Sequence, residues 1–394
     1  MAGIDFTVVE SLSSIDASEW NALIGRSGSD TPLLSHAFLH ALHESGCASA
    51  ETGWHPRYII GRRDGRLDAA MPLYLKAHSY GEYVFDWAWA DAYRRYNRRY
   101  YPKLLSAIPF TPATGPRLIA ASEADRTTLW REAVKLAKTT RASSLHVLFP
   151  ESREADALTE PAFPGVLHRH GIQFHWQNAD GTPYENFEAF LATFSHDKRK
   201  KIRQDRAKVA AAGITYRHLD GNTATTADWE FFYACYDNTY RAHHSTPYLT
   251  LEFFLMLSAS MPLNLLLVIG ERDGVPVCAA FNIHNSTTLW GRYWGTGEFV
   301  PALHFETCYY QAIEFCIARR LERFEGGAQG GHKLARGFLP SKTHSMHWIA
   351  DPGFADAIGD FLARETADIG QVLDELQDRS PYKDEAPGHD KECK

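Results

Sequence analysis

The chain of 394 residues is short of several features that would place it quickly. None of its six cysteines, Cys47, Cys235, Cys278, Cys308, Cys316 and Cys393, stands in a C-x-x-C pair, so zinc ribbons and thioredoxin chemistry have no support. Scattered cysteines fit a reducing compartment. No apolar run approaches the ~18 residues of a membrane span, and the longest, Leu263 to Gly270, is strand-sized. The opening MAGIDFTVVESLSSID has no basic stretch leading into an apolar one, so no signal peptide is read and a soluble, cytoplasmic protein is expected. Basic excess is also missing. The formal charge of −7 argues against a dedicated DNA binder, although a local basic groove remains compatible with it. H-E-x-x-H, G-x-S-x-G and G-x-x-x-x-G-K-[ST] are absent, which removes the zincin, α/β-hydrolase and P-loop patterns.

What is present is aromatic wealth and an internal repeat. Ten Trp, 18 Tyr and 22 Phe supply either large cores or deep-walled clefts. Tyr58 to Leu75 (YIIGRRDGRLDAAMPLYL) resembles Leu267 to Ile283 (LVIGERDGVPVCAAFNI). Each reads as strand, Asp-Gly turn and strand, a hairpin signal. Ile60-Gly61 and Asp64-Gly65 recur 209 positions on as Ile269-Gly270 and Asp273-Gly274, and Tyr100-Tyr101 recurs as Tyr309-Tyr310. A helical pattern precedes each hairpin, at Ser35 to Ser45 and Thr250 to Ser260. An ordered series at one offset points to duplication of a domain. The expected fold class is mixed α/β (α+β), as two tandem domains: 1–170, 171–378 and a disordered polar tail, 379–394. A helix is expected near Arg99 to Ala107 and another over Phe305 to Arg320.

Chemistry-bearing residues concentrate between Leu289 and Phe338. Arg292-Tyr-Trp-Gly295-Thr-Gly297 is expected at a strand end before a helix. Glycines there let backbone amides approach an anion, aided by the helix N-terminus. A plain β-turn is the alternative. Further on, Glu325-Gly-Gly-Ala-Gln-Gly330-Gly331-His332-Lys333-Leu-Ala-Arg336-Gly-Phe338 mixes crowded glycines with acid and base, a mix that core packing does not need. The alternative is a glycine loop with a surface lysine. Six basic residues fall between Lys198 and Arg206, Arg199 and Arg203 among them, ready to meet phosphates or to form a solvated face.

In these segments the chain resembles the C-terminal domain of Fem-type peptidoglycan amino-acid ligases and related bacterial predicted N-acyltransferases of the GNAT superfamily. The resemblance implies two GNAT-like domains. The first would recognise the acceptor and the second would carry catalysis. It implies that Lys333 stabilises the oxyanion of a tetrahedral intermediate. Arg292, Gly295 and Gly297, with Gly330 and Gly331, would hold the donor. The donor is acyl-coenzyme A or, alternatively, aminoacyl-tRNA, and no metal is implied. Arg199, Arg203 and Arg336 would contact substrate. The acceptor would be a small or peptide-like amine, and Asp86, Asp91, Tyr93 and Arg94 are candidates to contact it because Arg, Asp and aromatic rings interleave there. An inter-domain seam would explain the same composition. A non-catalytic protein that binds a cell-wall precursor is the competing class.

The proton acceptor is open among His304, Glu306, Glu325 and His332, with Glu325 and His332 first because they flank the glycine loop. His36, His40 and His43 share one helix face, and His344-Ser-Met-His347 lies on a strand pattern. Both are read as ordinary packing and not as metal ligands.

Overall fold

The computed structural model describes residues 3–179, 182–327 and 330–383. In chain order the elements are β1 (Asp5–Val9), α1 (Ala17–Arg26), α2 (His36–Glu44), β2 (Trp54–Pro56), β3 (Tyr58–Arg63), β4 (Arg66–Met71), β5 (Tyr74–Lys76), α3 (Trp87–Arg95), β6 (Lys103–Ser106), β7 (Ile119–Ala120), α4 (Glu123–Thr139), β8 (Ser144–Leu148), α5 (Ser152–Ala157) and β9 (Val166–Gln177). They continue with α6 (Phe187–Ala192), α7 (His196–Ala211), β10 (Ile214–Leu219), α8 (Thr226–Ala242), α9 (Leu251–Ser260), β11 (Leu265–Arg272), β12 (Val275–His284), β13 (Thr288–Thr296), α10 (Leu303–Phe305), α11 (Gln311–Arg319), β14 (Arg323–Glu325), β15 (Leu339–Ile349) and α12 (Pro352–Asp378).

The chain divides into two compact units. The first holds the residues up to Ile172 with Lys342–Val372, and the second holds Gln173–Ser341 with the described residues from Leu373 on. The division differs from the expected one in one respect. Most of β15 and α12, expected in the second domain, belong to the first, because β15 pairs antiparallel with β8 through Ser345–Leu148 to Ile349–Ser144. The tail also departs from expectation. Tyr382 is half-buried and donates to the Gly337 carbonyl at 2.7 Å, and the Ser195 amide donates to the carbonyl of buried Pro381. The rest of the tail, from 384, lies outside the described residues.

Each unit carries the same β-α-α-β-β opening: β1, α1, α2, β3, β4 in the first and β10, α8, α9, β11, β12 in the second. The likeness extends to single residues. Gly61 of β3 faces Phe6 and Ala69, and Gly270 of β11 faces Tyr216 and Cys278. A methyl on Gly61 would press on the Phe6 ring, and one on Gly270 on the Tyr216 ring. A bulge follows each glycine, at Gly61/Arg62 and Gly270/Glu271. The turns Asp64-Gly65 and Asp273-Gly274 all have positive φ, as a two-residue hairpin of the primed type requires. The third repeat match does not hold. Tyr309-Tyr310 are helical, whereas Tyr100-Tyr101 lead into β6 and the helix expected near Arg99 is instead α3 upstream. In place of that helix, Lys103–Ser106 is a strand buried at every position and paired with β5 and β8.

In the second unit, β10-β11-β12-β13 run antiparallel, β14 joins β13 in parallel, and the end of β9 joins β14. Helix α8 opens with a reciprocal capping box between Thr225 and Asp228 and lies on β13. Its closest approach is at Gly295, where any Cβ would overlap the Cys235 carbonyl oxygen. Gly295→Ala is therefore expected to destabilise the protein by about 1–3 kcal/mol, read as a lower urea midpoint. Gly297→Ala, with open space around its Cα, is the control and should leave the midpoint in place. Equal midpoints for the two variants would contradict this packing.

Candidate functional site

The site is built where β14 ends. Glu325 is its last residue, buried at 3% exposure, with Arg323 Nη2 3.3 Å from Glu325 Oε1. Gly326 follows because Phe338 and the Phe174 carbonyl leave no room for a side chain. Its amide donates to the Phe174 carbonyl, and the Phe174 amide donates back to Gly327. Ala328 and Gln329 lie outside the described residues. Gly330, at φ +109°, turns the chain into a 3-10 helix over Gly331–Arg336. A methyl there would meet the His332 ring, so glycine is required.

Lys333 sits on the inner face of that helix at 6% exposure. Its Nζ donates to the Gly327 carbonyl at 3.2 Å. Among the described residues no carboxylate lies within ion-pairing reach of it. Burial pushes its pKa down to about 8. At neutral pH the side chain is a largely protonated, buried ammonium with no carboxylate partner among the described residues.

Arg336 holds the helix in position. Its guanidinium lies 3.3 Å from the Phe305 ring centroid, donates to the His332 carbonyl at 2.6 Å and stands 3.5 Å from Asp205 Oδ2. Asp205 also meets Lys201 one turn earlier on α7. Arg336, expected to contact substrate, is 7% exposed and engaged inside the protein by these contacts.

His332 faces outward. It is exposed, and its Nε2 lies 3.1 Å from the Tyr309 hydroxyl. His304 stands beside it, with ring centroids 6.0 Å apart and Trp294 at 4.5 Å on the other side. Burial lowers the pKa of both, His304 to about 4, and the neighbouring Arg336 and Lys333 charges add to the shift. Both imidazoles are therefore neutral at pH 7. His304 and Tyr309 are five residues apart, which on an α-helix separates them by about 140°. A π turn over Glu306–Tyr310 rotates them onto one side, with rings 5.3 Å apart. That turn has no sequence signature, so Tyr309 was missed as a site residue. Glu306 is buried against Arg206 and Gln311, which takes it out of the reacting region.

The remaining expected residues scatter. Arg292 to Thr296 form the last residues of β13 and Gly297 follows directly, so the motif does stand at a strand end, but the next helix, α10, begins only at Leu303. Arg292 packs against its neighbour Tyr293. Gly295 serves the close approach of α8, and the Gly297 amide already donates to the Val277 carbonyl. Of the two glycines, Gly295 is taken up by packing and the Gly297 amide by a backbone hydrogen bond, so neither offers a free amide to a phosphate. On α7, Arg199 is half-buried and Arg203 is exposed, paired with Glu188. Gly331 is exposed beside His332.

In the first unit, Asp86 is buried beneath Lys103 and accepts from the Tyr100 hydroxyl at 2.6 Å. Burial alone would raise its pKa, but the Lys103 ammonium outweighs it and holds the carboxyl below the usual range. Tyr93 is buried with its ring stacked on Phe354 at 3.8 Å. Asp91 is tied to Arg94 and Arg95 as near-surface ion pairs. The four acceptor candidates thus do not share one accessible face. Asp86, just before α3, and Tyr93, on it, both point into the protein. His36 bonds the Leu12 carbonyl and His43 bonds Tyr74 and Tyr58.

With this geometry in view, comparison with known proteins gives a consistent result. The model of a family described as FemAB-like, peptidoglycan biosynthesis/recognition, matches residues 11–384. The chain belongs to the FemAB-like family. Solved structures similar to this FemAB-like chain include FemX, at 12% identity and a TM-score of 0.56, covering 90% of this chain and 100% of that one. Another is the C-terminal domain of a putative lysylphosphatidylglycerol synthetase from Agrobacterium fabrum, at 9% identity and a TM-score of 0.54, covering 88% and 95%. A third is L-PGS from Bacillus licheniformis, at 9% identity and a TM-score of 0.52, covering 88% and 97%. At these identities the likeness concerns the fold, a mixed α/β arrangement in two units. No curated protein matches the chain. Among the described residues of this FemAB-like protein no helix is long and apolar enough to cross a membrane.

Several histidines of the FemAB-like chain are held neutral by burial, with His304 at about 4 and His175 at about 3. A histidine whose folded pKa lies below its unfolded value loses stability as pH falls through ~6.5 toward the folded value. The melting temperature should drop between pH 7 and pH 5, and His304→Gln should make that slope shallower. A flat or rising melting temperature over this range would contradict the buried neutral state.

Proposed function

We propose that the second unit transfers an acyl or aminoacyl group from an activated ester or thioester to an amine. The single observation that carries this is Lys333: a buried ammonium, without a carboxylate partner among the described residues, on a glycine-rich loop whose outer residues are exposed. Such a cation serves negative charge that appears only during reaction.

A neutral amine attacks the donor carbonyl carbon, and the carbonyl electron pair moves to oxygen. The Lys333 ammonium stabilises that oxyanion. When the tetrahedral intermediate collapses, the carbon–sulfur or carbon–oxygen bond breaks and the leaving group departs with the electron pair. The proton lost by the amine passes to neutral His332 or to water and from there to the leaving group. Glu325, behind the loop, keeps the role of second candidate base.

Acyl-coenzyme A is the donor first expected, and Arg292, Gly295 and Gly297 no longer lend it support, since none presents a free amide cradle. Aminoacyl-tRNA fits the same chemistry. Lys198, Lys200, Lys201 and Arg203 are exposed along α7 and form a basic face suited to a polyanion, which favours this second reading. Family membership supports a cell-wall precursor amine as acceptor. Both donors would place the work in the cytoplasm.

The test pairs the purified chain with acyl-coenzyme A or charged tRNA and a peptidoglycan-type amine, and follows the amide product by mass spectrometry. Lys333→Ala should lower kcat by about 10²–10³-fold while donor affinity changes little. The wild-type rate should fall as pH rises through about 8, where Lys333 loses its proton. Full activity in Lys333→Ala, or product with neither donor class, would overturn the assignment.

A further inference from the structure

A second cluster lies outside the Lys333 site, in the first unit. His168 and His170 are two apart on β9, so the pleat sends both to one face. His344 comes from β15. One ring nitrogen from each of the three lies within 4.8 Å of the others. His168 Nε2 and His344 Nδ1 are 2.9 Å apart, and the His168 and His170 ring centroids 4.2 Å. Sequence reading passed over His344 as part of a strand because its partners stand more than 170 positions upstream.

The geometry points to a divalent transition-metal site of the zinc class, held by His168, His170 and His344. Four observations carry it. Imidazole donors select zinc-like ions over magnesium or calcium. The separation between His168 and His344 is close to the ~3.3 Å edge that two ligands at about 2.0–2.1 Å span around a tetrahedral ion. The other nitrogen of His344 lies 3.2 Å from the Ser152 hydroxyl, which fixes the ring with Nδ1 toward the cluster, as outer partners of metal-bound histidine do. The His170 Nδ1 atom is buried without a hydrogen-bond partner, a cost that ligation can remove if Nδ1 is its donor atom.

The surroundings suit the ion. Asp156 acts on all three in favour of positive charge, and Lys342 acts against it. Beside the cluster a Cβ on Gly171 would meet Thr343 Oγ1, so the two strands approach too closely there for any larger residue. Three imidazoles leave the fourth position to water.

The test uses the full chain, stripped with chelator, and Zn²⁺ alone. Calorimetry should give one ion per chain, and the melting temperature should rise with Zn²⁺. Co²⁺ should give the intense visible band of a four-coordinate site, which adventitious surface binding does not. His168→Ala with His170→Ala, both at half-buried positions, should weaken Zn²⁺ binding at least tenfold and abolish the Co²⁺ band. Its melting temperature in chelator should match the wild type. His243→Ala, at an exposed position elsewhere, should bind as the wild type does. Absence of stoichiometric binding in the wild type, or unchanged affinity in the double variant, would overturn the proposal.

Discussion

A buried ammonium that has no carboxylate partner among the described residues is the constraint around which the second unit is arranged. Taking Lys333 out of water costs free energy, and one backbone carbonyl does not repay it. The lowered pKa is the signature of that imbalance. What keeps the side chain there is the framework around it. The glycines close the loop against Phe338 and Phe174, Arg336 locks the 3-10 helix onto Phe305 and Asp205, and Tyr382 ties down Gly337. Each of these contacts stabilises a geometry in which the cation stays unpaired.

The duplicated units make the contrast visible. The first unit also buries a lysine, Lys103, but surrounds it with Glu82, Asp86 and Ser79. There the carboxylates outweigh desolvation and raise the lysine pKa, whereas at Lys333 desolvation wins. One cation is neutralised and structural, and the other is left available. The same β-α-α-β-β framework, down to the paired aromatic-over-glycine contacts at Gly61 and Gly270, thus supports opposite electrostatic outcomes.

Much of this was legible in the sequence where local chemistry decides. The Asp-Gly turns, the glycine offset and the helices α2 and α9 follow from turn geometry, caps and periodicity. Lys333 and the loop around it stood out because glycine crowded against charge serves no core. Other features depend on tertiary placement. Gly295 looks like a phosphate-binding glycine until α8 is seen against it. Tyr93 and Asp86 look exposed until α3 turns them inward. The π turn that joins His304 to Tyr309, and the strand pairing that brings His344 toward His168, arise from packing across long separations. No window of sequence contains them.

The most direct measurement is the titration of Lys333 itself, by NMR of protein labelled at the lysine Cε, with Lys333→Arg to assign the resonance. The account predicts an apparent pKa near 8 that rises when an anionic tetrahedral mimic of the intermediate binds beside it. A value near the ordinary ~10.5, unmoved by the mimic, would mean a solvated lysine and would contradict the central claim.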